Sequence, residues 1–310
     1  MANGALNKAK KSKKDEFYTR YEDIHNELKY YHQHFQDKVI YINCDNPEVS
    51  NFWKYFKDNF RKLKLKKLIA TYYIEDEQTY KYEIENGEYD KQSNGITVTK
   101  TLLEGDGDFR SEEVVDVLKT ADTVVTNPPF SLWRKYVQQI IEYDKEFLIL
   151  GRQTAVGYRD IFPLIYNQQM WVGVNSNKVM RFEVPDGYEL QEGKYEVINN
   201  KYYIQVPAIS WYTNLDHVKR HKDRELTSLY KGNEEDYPEY ENYPAINVNR
   251  LANIPKDYSG EMGVPITILN NFNFNQFEIT GFRKGNDGKD LTYGGKTIYT
   301  RVLIRKKGLK

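Results

Sequence analysis

Apolar and polar positions alternate with two periods in the first half of the chain, and their succession predicts strands joined by helices. Lys38-Val-Ile-Tyr-Ile42 reads as a buried strand that breaks at Asn43-Cys-Asp-Asn-Pro47. Ser50 then caps a helix with Phe52, Phe56, Phe60 and Leu63 on one face. Leu65 to Tyr73 supplies another strand, centred on Leu68, Ile69 and Ala70. The β-branched run Thr123 to Thr126 stops at Asn127-Pro-Pro-Phe130. Ser131 opens a helix with Leu132, Tyr136, Ile140 and Ile141 on one face, and Phe147-Leu-Ile-Leu150 is a further buried strand. Strand, turn, helix and strand make a βαβ unit, because parallel neighbours need a crossover of this length. Upstream, Thr19-Arg-Tyr-Glu22 satisfies a capping box, and Ile24, Leu28 and Tyr31 carry a helix over about 20–34. Tyr80 to Leu103, with Asn-Gly turns at 86–87 and 94–95, predicts an inserted hairpin, and Glu112 to Lys119 a helix.

Beyond Leu150 the alternation fades. Tyr158 to Tyr166 reads as a helix and Trp171 to Val174 as a strand. Lys178 to Val184 and Tyr202 to Leu215 read as antiparallel strands around turns at Asp186-Gly187 and Gly193. From about 216 the chain is polar, Tyr- and Asn-rich and punctuated by Pro, with short strands ending in Thr297 to Ile304. The expected fold is α/β: a doubly wound, mostly parallel sheet with an antiparallel edge and a smaller C-terminal region. The expected boundaries are 1–14 for a flexible basic arm, 15–216 for the main domain and 217–310 for the smaller one.

Composition narrows the partners. Lys plus Arg and Asp plus Glu are both 45, so the formal charge is zero; this argues against a broadly basic coat and leaves room for a basic cleft. Cations gather at Lys8, Lys10, Lys11, Lys13 and Lys14, between Arg61 and Lys67, and at Arg305-Lys306-Lys307. They face an acidic run at Glu234-Glu235-Asp236 and Glu239. Each run taken alone is a solvated surface unless several converge. Cys44 is the only cysteine, which rules out an intrachain disulfide or a Cys-cluster metal site and suits a reducing cytoplasm. No apolar run reaches transmembrane length, and the Lys-rich start leads into no signal-peptide core, so no membrane association is expected.

The chemistry concentrates at Asn127-Pro128-Pro129-Phe130. Two prolines end the strand and hold a rigid turn. Such a corner accepts two hydrogen bonds from one amine, at Asn127 Oδ1 and the Pro128 carbonyl, while Phe130 stacks on a flat ring. A bare Pro-Pro is ordinary punctuation, but a βαβ context puts this one where α/β sheets bind ligands. Adenine, cytosine, guanine, an RNA base and a glutamine amide all carry a suitable planar amine.

The chain resembles the EcoRI-type adenine-specific DNA methyltransferases, a family of S-adenosylmethionine-dependent N6-adenine amino-methyltransferases. The resemblance rests on Asp15-Glu-Phe-Tyr-Thr19, Asn43-Cys-Asp-Asn-Pro47 with Ser50-Asn51-Phe52, Gly105-Asp-Gly-Asp-Phe-Arg-Ser111, the 127–130 corner, Trp211-Tyr-Thr-Asn-Leu215 and Met262-Gly-Val-Pro-Ile266. It implies a Rossmann-like methyltransferase sheet, with 15–216 binding cofactor and catalysing and 217–310 recognising double-stranded DNA. It further implies that Phe17, Tyr18 and Thr19 border the methionine end of S-adenosylmethionine. By the same resemblance Asp45 accepts from the cofactor's amino group, Asp108 accepts from its adenine amine and Phe109 packs on that ring. An adenine flipped out of the duplex would stack on Phe130, with Trp211 or Tyr212 as the second ring. Lys219, Arg220, Lys222 and Arg224 form a cluster suited to phosphates, although a surface helix looks the same. His217 and His221 have metal-like spacing without a third ligand, and no metal is expected.

The chain departs from methyltransferases at large in two places. The turn after the first strand has no glycine, and the second strand ends in Tyr72-Tyr73 before the acids Glu75 and Asp76. A monomer is expected, with a partner endonuclease acting on the same site left open. Two other readings remain: an RNA or protein (glutamine) N-methyltransferase using the same corner, and a catalytically silent DNA-binding protein. Glu192-Gly-Lys194 matches a nuclease motif but sits in a Gly turn.

Overall fold

The computed structural model describes residues 17–85, 96–184, 195–283, 290–298 and 300–308. The basic arm and the turns expected at 86–87, 94–95, 186–187 and 193 lie outside the described residues. The chain divides into two units, 1–153 with 173–215 and 154–172 with 216–310. Residues 154–172, which the sequence reading places in the first domain, cluster with the second: Phe162 stacks on Phe282 with ring centroids 4.6 Å apart.

In chain order the elements of the first unit begin with β1 (Tyr18–Thr19), α1 (Tyr21–Leu28), α2 (His32–Phe35), β2 (Val39–Cys44), α3 (Asn51–Asp58) and β3 (Lys67–Tyr72). They continue with β4 (Tyr80–Glu85), β5 (Thr99–Leu102), α4 (Glu112–Thr120), β6 (Thr123–Thr126), α5 (Trp133–Glu142) and β7 (Glu146–Arg152). Next come α6 (Phe162–Tyr166) and β8 (Trp171–Val172), which belong to the second unit. The first unit closes with β9 (Lys178–Glu183), β10 (Tyr195–Ile198) and β11 (Lys201–Thr213).

Its sheet runs in the order β1-β9-β11-β7-β6-β2-β3-β4-β5, with β10 paired to β11. The four central strands β7, β6, β2 and β3 are parallel, and both flanks are antiparallel. The expected mostly parallel sheet is therefore corrected to a parallel centre with two antiparallel wings. The reason is local: helices separate β2 from β3 and β6 from β7, whereas β3, β4 and β5 follow one another without a helix. The centre is buried on both faces. Ile40, Ile42, Leu68, Ala70, Leu148 and Leu150 share one core with Ile24, Leu28, Phe52 and Phe56 of α1 and α3. The alternate residues Tyr41, Ile69, Val124, Phe147 and Ile149 are buried on the other face. There α5 contributes Trp133, whose Nε1 donates to the Leu150 carbonyl (2.7 Å). Gly151 is required beneath that indole, since a Cβ would overlap it.

Several helix starts differ from expectation. Thr19 does not cap α1: its backbone pairs with Phe182 in the sheet. The N-cap is Arg20, whose guanidinium binds Asp23 at 2.9 Å. The single helix expected over 20–34 breaks into α1 and α2, because the chain turns to bury Tyr31 against Glu27. Helix α5 starts at Trp133, with Leu132 as its N-cap residue. The helix expected at 158–166 shortens to α6, preceded by a 3₁₀ turn at Gln153–Gly157. The Ser50 cap is present, accepting from the Trp53 amide at 3.4 Å.

The second unit is built on a five-stranded sheet, β12 (Glu239–Tyr240), β13 (Tyr243–Asn247), β14 (Met262–Pro265), β18 (Arg301–Lys306) and β15 (Phe277–Arg283), in that spatial order. A two-stranded ribbon joins β16 (Thr292–Tyr293) to β17 (Lys296–Thr297). Ile246, Met262, Val264, Val302, Leu303 and Ile304 are buried in this unit. Among the described residues no helix is long and apolar enough to cross a membrane.

Candidate active site

The carboxyl ends of the four parallel strands, at Tyr72, Cys44, Thr126 and Arg152, lie on one edge. From β2 the chain goes to β3 on one side, while β6 flanks β2 on the other. The sheet order thus reverses between β2 and β6, which is where open α/β sheets hold ligands. Backbone pairing there joins Ile40 to Thr123 and Tyr41 to Val124, and beyond it the Thr126 hydroxyl donates to the Asn43 carbonyl.

Asn127 stands at this point and is 8% exposed. Its Nδ2 donates to the Phe17 carbonyl at 2.8 Å, so Oδ1 is the amide atom turned the other way. The Pro129 carbonyl accepts from the Leu132 amide (3.0 Å), which commits it to the turn into α5. Phe130 is half-buried and rests on the core.

The segment Phe17–Thr19 is held from two sides. Asn127 bonds the Phe17 carbonyl, and Asn51 Nδ2, in the first turn of α3, donates to the Thr19 carbonyl at 2.8 Å. Phe17 and Thr19 are buried, and the Thr19 hydroxyl has no hydrogen-bond partner among the described residues. Asp45, directly after β2, is 3% exposed and accepts from the Ser50 hydroxyl at 3.1 Å. Burial pushes its carboxyl up to about 7, against which the Ser50 bond pulls only partly. The last residue of β2, Cys44, adopts φ 90, a backbone conformation usually left to glycine. The glycine-free turn thus reaches a glycine-like geometry through a strained cysteine.

The loop 105–111 lies against the end of β3. The Ile74 amide donates to the Asp106 carbonyl at 3.1 Å, and Gly107, at φ 79, packs so closely that a Cβ would overlap the Tyr72 carbonyl. Asp108 accepts from the Arg110 amide and Nε, both at 2.8 Å, and these bonds hold its carboxyl below the usual carboxylate range. Asp106 and Asp108 therefore also serve the turn itself, since Asp106 Oδ1 accepts from the Asp108 amide at 3.1 Å. Phe109 is buried edge-on against Tyr136 (5.1 Å), and its carbonyl accepts from Gln139 Nε2 at 2.9 Å. Glu75 and Asp76 are exposed.

Other expected residues are committed elsewhere. Trp211 and Tyr212 are successive residues of β11 on opposite faces, and both are fully buried. Trp211 meets Phe52 at 6.0 Å, and the Tyr212 hydroxyl donates to the Arg152 carbonyl at 2.7 Å. Their expected place on a flipped base is corrected to a place in the core. In the second unit the guanidinium of Arg220 lies 3.4 Å from the centre of the Trp171 ring and pairs with Asp216 at 2.8 Å. Arg224 is half-buried, its amide donating to Gln276 Oε1 (2.8 Å). Lys219 is partly exposed and Lys222 exposed, so of the four only Lys222 lies fully at the surface, while Arg220 is held by Trp171 and Asp216. His217 is buried, its Nε2 within 3.1 Å of the Val172 carbonyl, and burial lowers it to about 4. No metal-binding group of His, Cys, Asp and Glu occurs among the described residues.

Sequence reasoning gave no role to Asn51, to Gln139 or to Glu27. Glu27 is a buried acid raised to about 7 by desolvation, and it accepts from the Val174 and Asn175 amides, both at 2.7 Å. No periodicity marks such residues, because their partners lie far along the chain.

Comparison with known proteins adds three relatives and a family. The family model described as "Adenine-specific methyltransferase EcoRI" matches residues 5–307. The chain is 50% identical to the Type II methyltransferase M.EcoRI of Escherichia coli, over 99% of this chain and 98% of that protein. It is 38% identical to Type II methyltransferase M.MgeORF184P of Mycoplasma genitalium, over 97% and 98%. It is 36% identical to Type II methyltransferase M.MpnI of Mycoplasma pneumoniae, over the same shares. No solved structure gives a significant match.

Proposed function

Because the chain belongs to the EcoRI-type adenine-specific methyltransferase family, we propose that its 127–130 corner methylates the N6 amine of an adenine flipped out of a specific DNA sequence. It is a site-specific DNA adenine methyltransferase. The sheet, helix-covered on both faces, is read as doubly wound. The first unit binds cofactor and catalyses, and the second reads double-stranded DNA.

The observation that carries the reading is the tethered amide of Asn127. With Nδ2 given to the Phe17 carbonyl, Oδ1 is left to accept one N6 hydrogen, and the Pro128 carbonyl accepts the other. Drawing both hydrogens to one side raises the amine character of N6 and fixes its lone pair on the opposite side. Phe130 holds the base plane from one face; Trp211 and Tyr212 take no part. No general base is required before transfer, since the proton leaves once N6 is cationic. Positioning of this kind supplies roughly 7–11 kcal/mol.

S-adenosylmethionine would supply the methyl group, activated on a cationic sulfur. Two features fit it: a buried carboxylate, Asp45, costly without a cation, and a buried Thr19 hydroxyl without a partner among the described residues. Asp45 would hold the amino group, Phe17, Tyr18 and Thr19 would border the methionine end, and Asp108 and Phe109 would hold the adenine end. Exposed Lys222 and, beside it, Lys219 would meet phosphates. A monomer in the cytoplasm, protecting sites against a companion endonuclease, completes the reading.

The test is to incubate the protein with labelled S-adenosylmethionine, unmethylated duplex DNA, RNA and protein, then map the label. N6-methyladenine at one recurrent sequence is expected. Label confined to RNA or protein, or no label, overturns the reading.

A further inference from the structure

The first turn of α3 touches both walls of the proposed site. Ser50 Oγ bonds Asp45, while the next residue, Asn51, bonds the Thr19 carbonyl at 2.8 Å. Two residues before Thr19, the Phe17 carbonyl fixes the amide of Asn127, also at 2.8 Å. One extended segment is therefore clamped by two asparagine amides, each donating to a main-chain oxygen. β1 itself is only two residues long, paired antiparallel to Glu183 and Phe182 at the sheet's end. So short a strand is weakly placed by its ladder alone, and the two amides supply what the ladder lacks.

We propose that Asn51 is a positioning residue for methyl transfer: by holding the Thr19 carbonyl it sets the Phe17 carbonyl, which orients the Asn127 amide. The inference rests on the reading of Asn127 as the acceptor of the adenine amine. Asn51 touches no reacting atom. Its effect falls on the amide's orientation, hence on the rate of transfer, and much less on affinity for DNA. The linkage also gives the cofactor-bordering segment and the catalytic amide one shared support.

Asn51→Asp keeps size and shape but replaces the donor with a carboxylate facing a carbonyl, and Asn51→Ala removes the contact. Single-turnover methylation of a duplex substrate is measured for both, with KM for cofactor, DNA affinity and the unfolding midpoint. The expected result is a fall of about tenfold or more in the transfer rate, with DNA affinity and midpoint close to wild type. A second arm combines Asn51→Asp with Asn127→Asp, which keeps an acceptor oxygen but lacks the donor to Phe17. If Asn51 acts through that amide, the double variant transfers methyl about as fast as Asn127→Asp alone. Rates that multiply, an unchanged rate in both Asn51 variants, or a rate loss that tracks a fallen midpoint each overturn the inference. If the wild-type protein methylates no adenine, the reading of the site fails rather than the role of Asn51.

Discussion

Replacing Asp45 with Asn separates what this carboxylate costs the fold from what it would contribute to holding the proposed cofactor. Burial raises its carboxyl from 3.8 to about 7, with the Ser50 hydroxyl as its hydrogen-bond donor. Between those two values the folded chain binds more protons than the unfolded one, so stability falls as pH rises across the window and levels off above about 7. Each pKa unit is worth 1.36 kcal/mol, so the ionised group costs the ligand-free protein on the order of 4 kcal/mol at pH 8. Asn keeps an oxygen for Ser50 and carries no charge. Urea unfolding of Asp45→Asn should match wild type near pH 4 and exceed it at pH 8 by up to that amount. Cofactor binding should move the other way. An ammonium selects the ionised carboxylate, so wild-type affinity for S-adenosylmethionine should tighten by about tenfold per unit between pH 5.5 and 7 and then flatten. The variant should bind weakly and without that slope. A variant no more stable than wild type at pH 8, together with a flat wild-type binding profile, refutes the argument.

Three further expectations follow from packing. Trp211→Phe should lower the unfolding midpoint by a few kcal/mol equivalent while the folded enzyme keeps its rate, as measured by active-site titration; a rate loss at unchanged stability would return the ring to the base. Cys44→Gly should be neutral or stabilising and Cys44→Val destabilising by about 1–3 kcal/mol, because the backbone at φ 90 suits one and not the other. Lys222→Ala should weaken DNA binding and reduce its salt slope by about 1, whereas Arg220→Ala, which breaks the Trp171 and Asp216 contacts, should lower the midpoint and leave the slope unchanged.

Much of the central sheet was legible because its signals are local. The run Thr123 to Thr126, two prolines and the Ser50 cap each act within a few residues. The turn at 127–130 was legible for the same reason. What escaped depends on distant partners. Thr19 looks like a cap and is a strand residue, because Phe182, far along the chain, takes its backbone. Trp211 and Tyr212 look like stacking rings, but on a central strand their alternation sends them into two cores. The cluster at 219–224 reads as one basic patch until Trp171 and Asp216 claim Arg220. The absent glycine after β2 was visible, but a cysteine holding a glycine-like φ in its place was not.

The central claim is that Asn127 presents an oxygen to the adenine amine without helping to hold the cofactor. Single-turnover methylation by Asn127→Ala, measured beside its equilibrium affinity for S-adenosylmethionine, tests this most directly. A loss of at least 100-fold in transfer is expected, with cofactor affinity changed less than about fivefold. Transfer near the wild-type rate would contradict it.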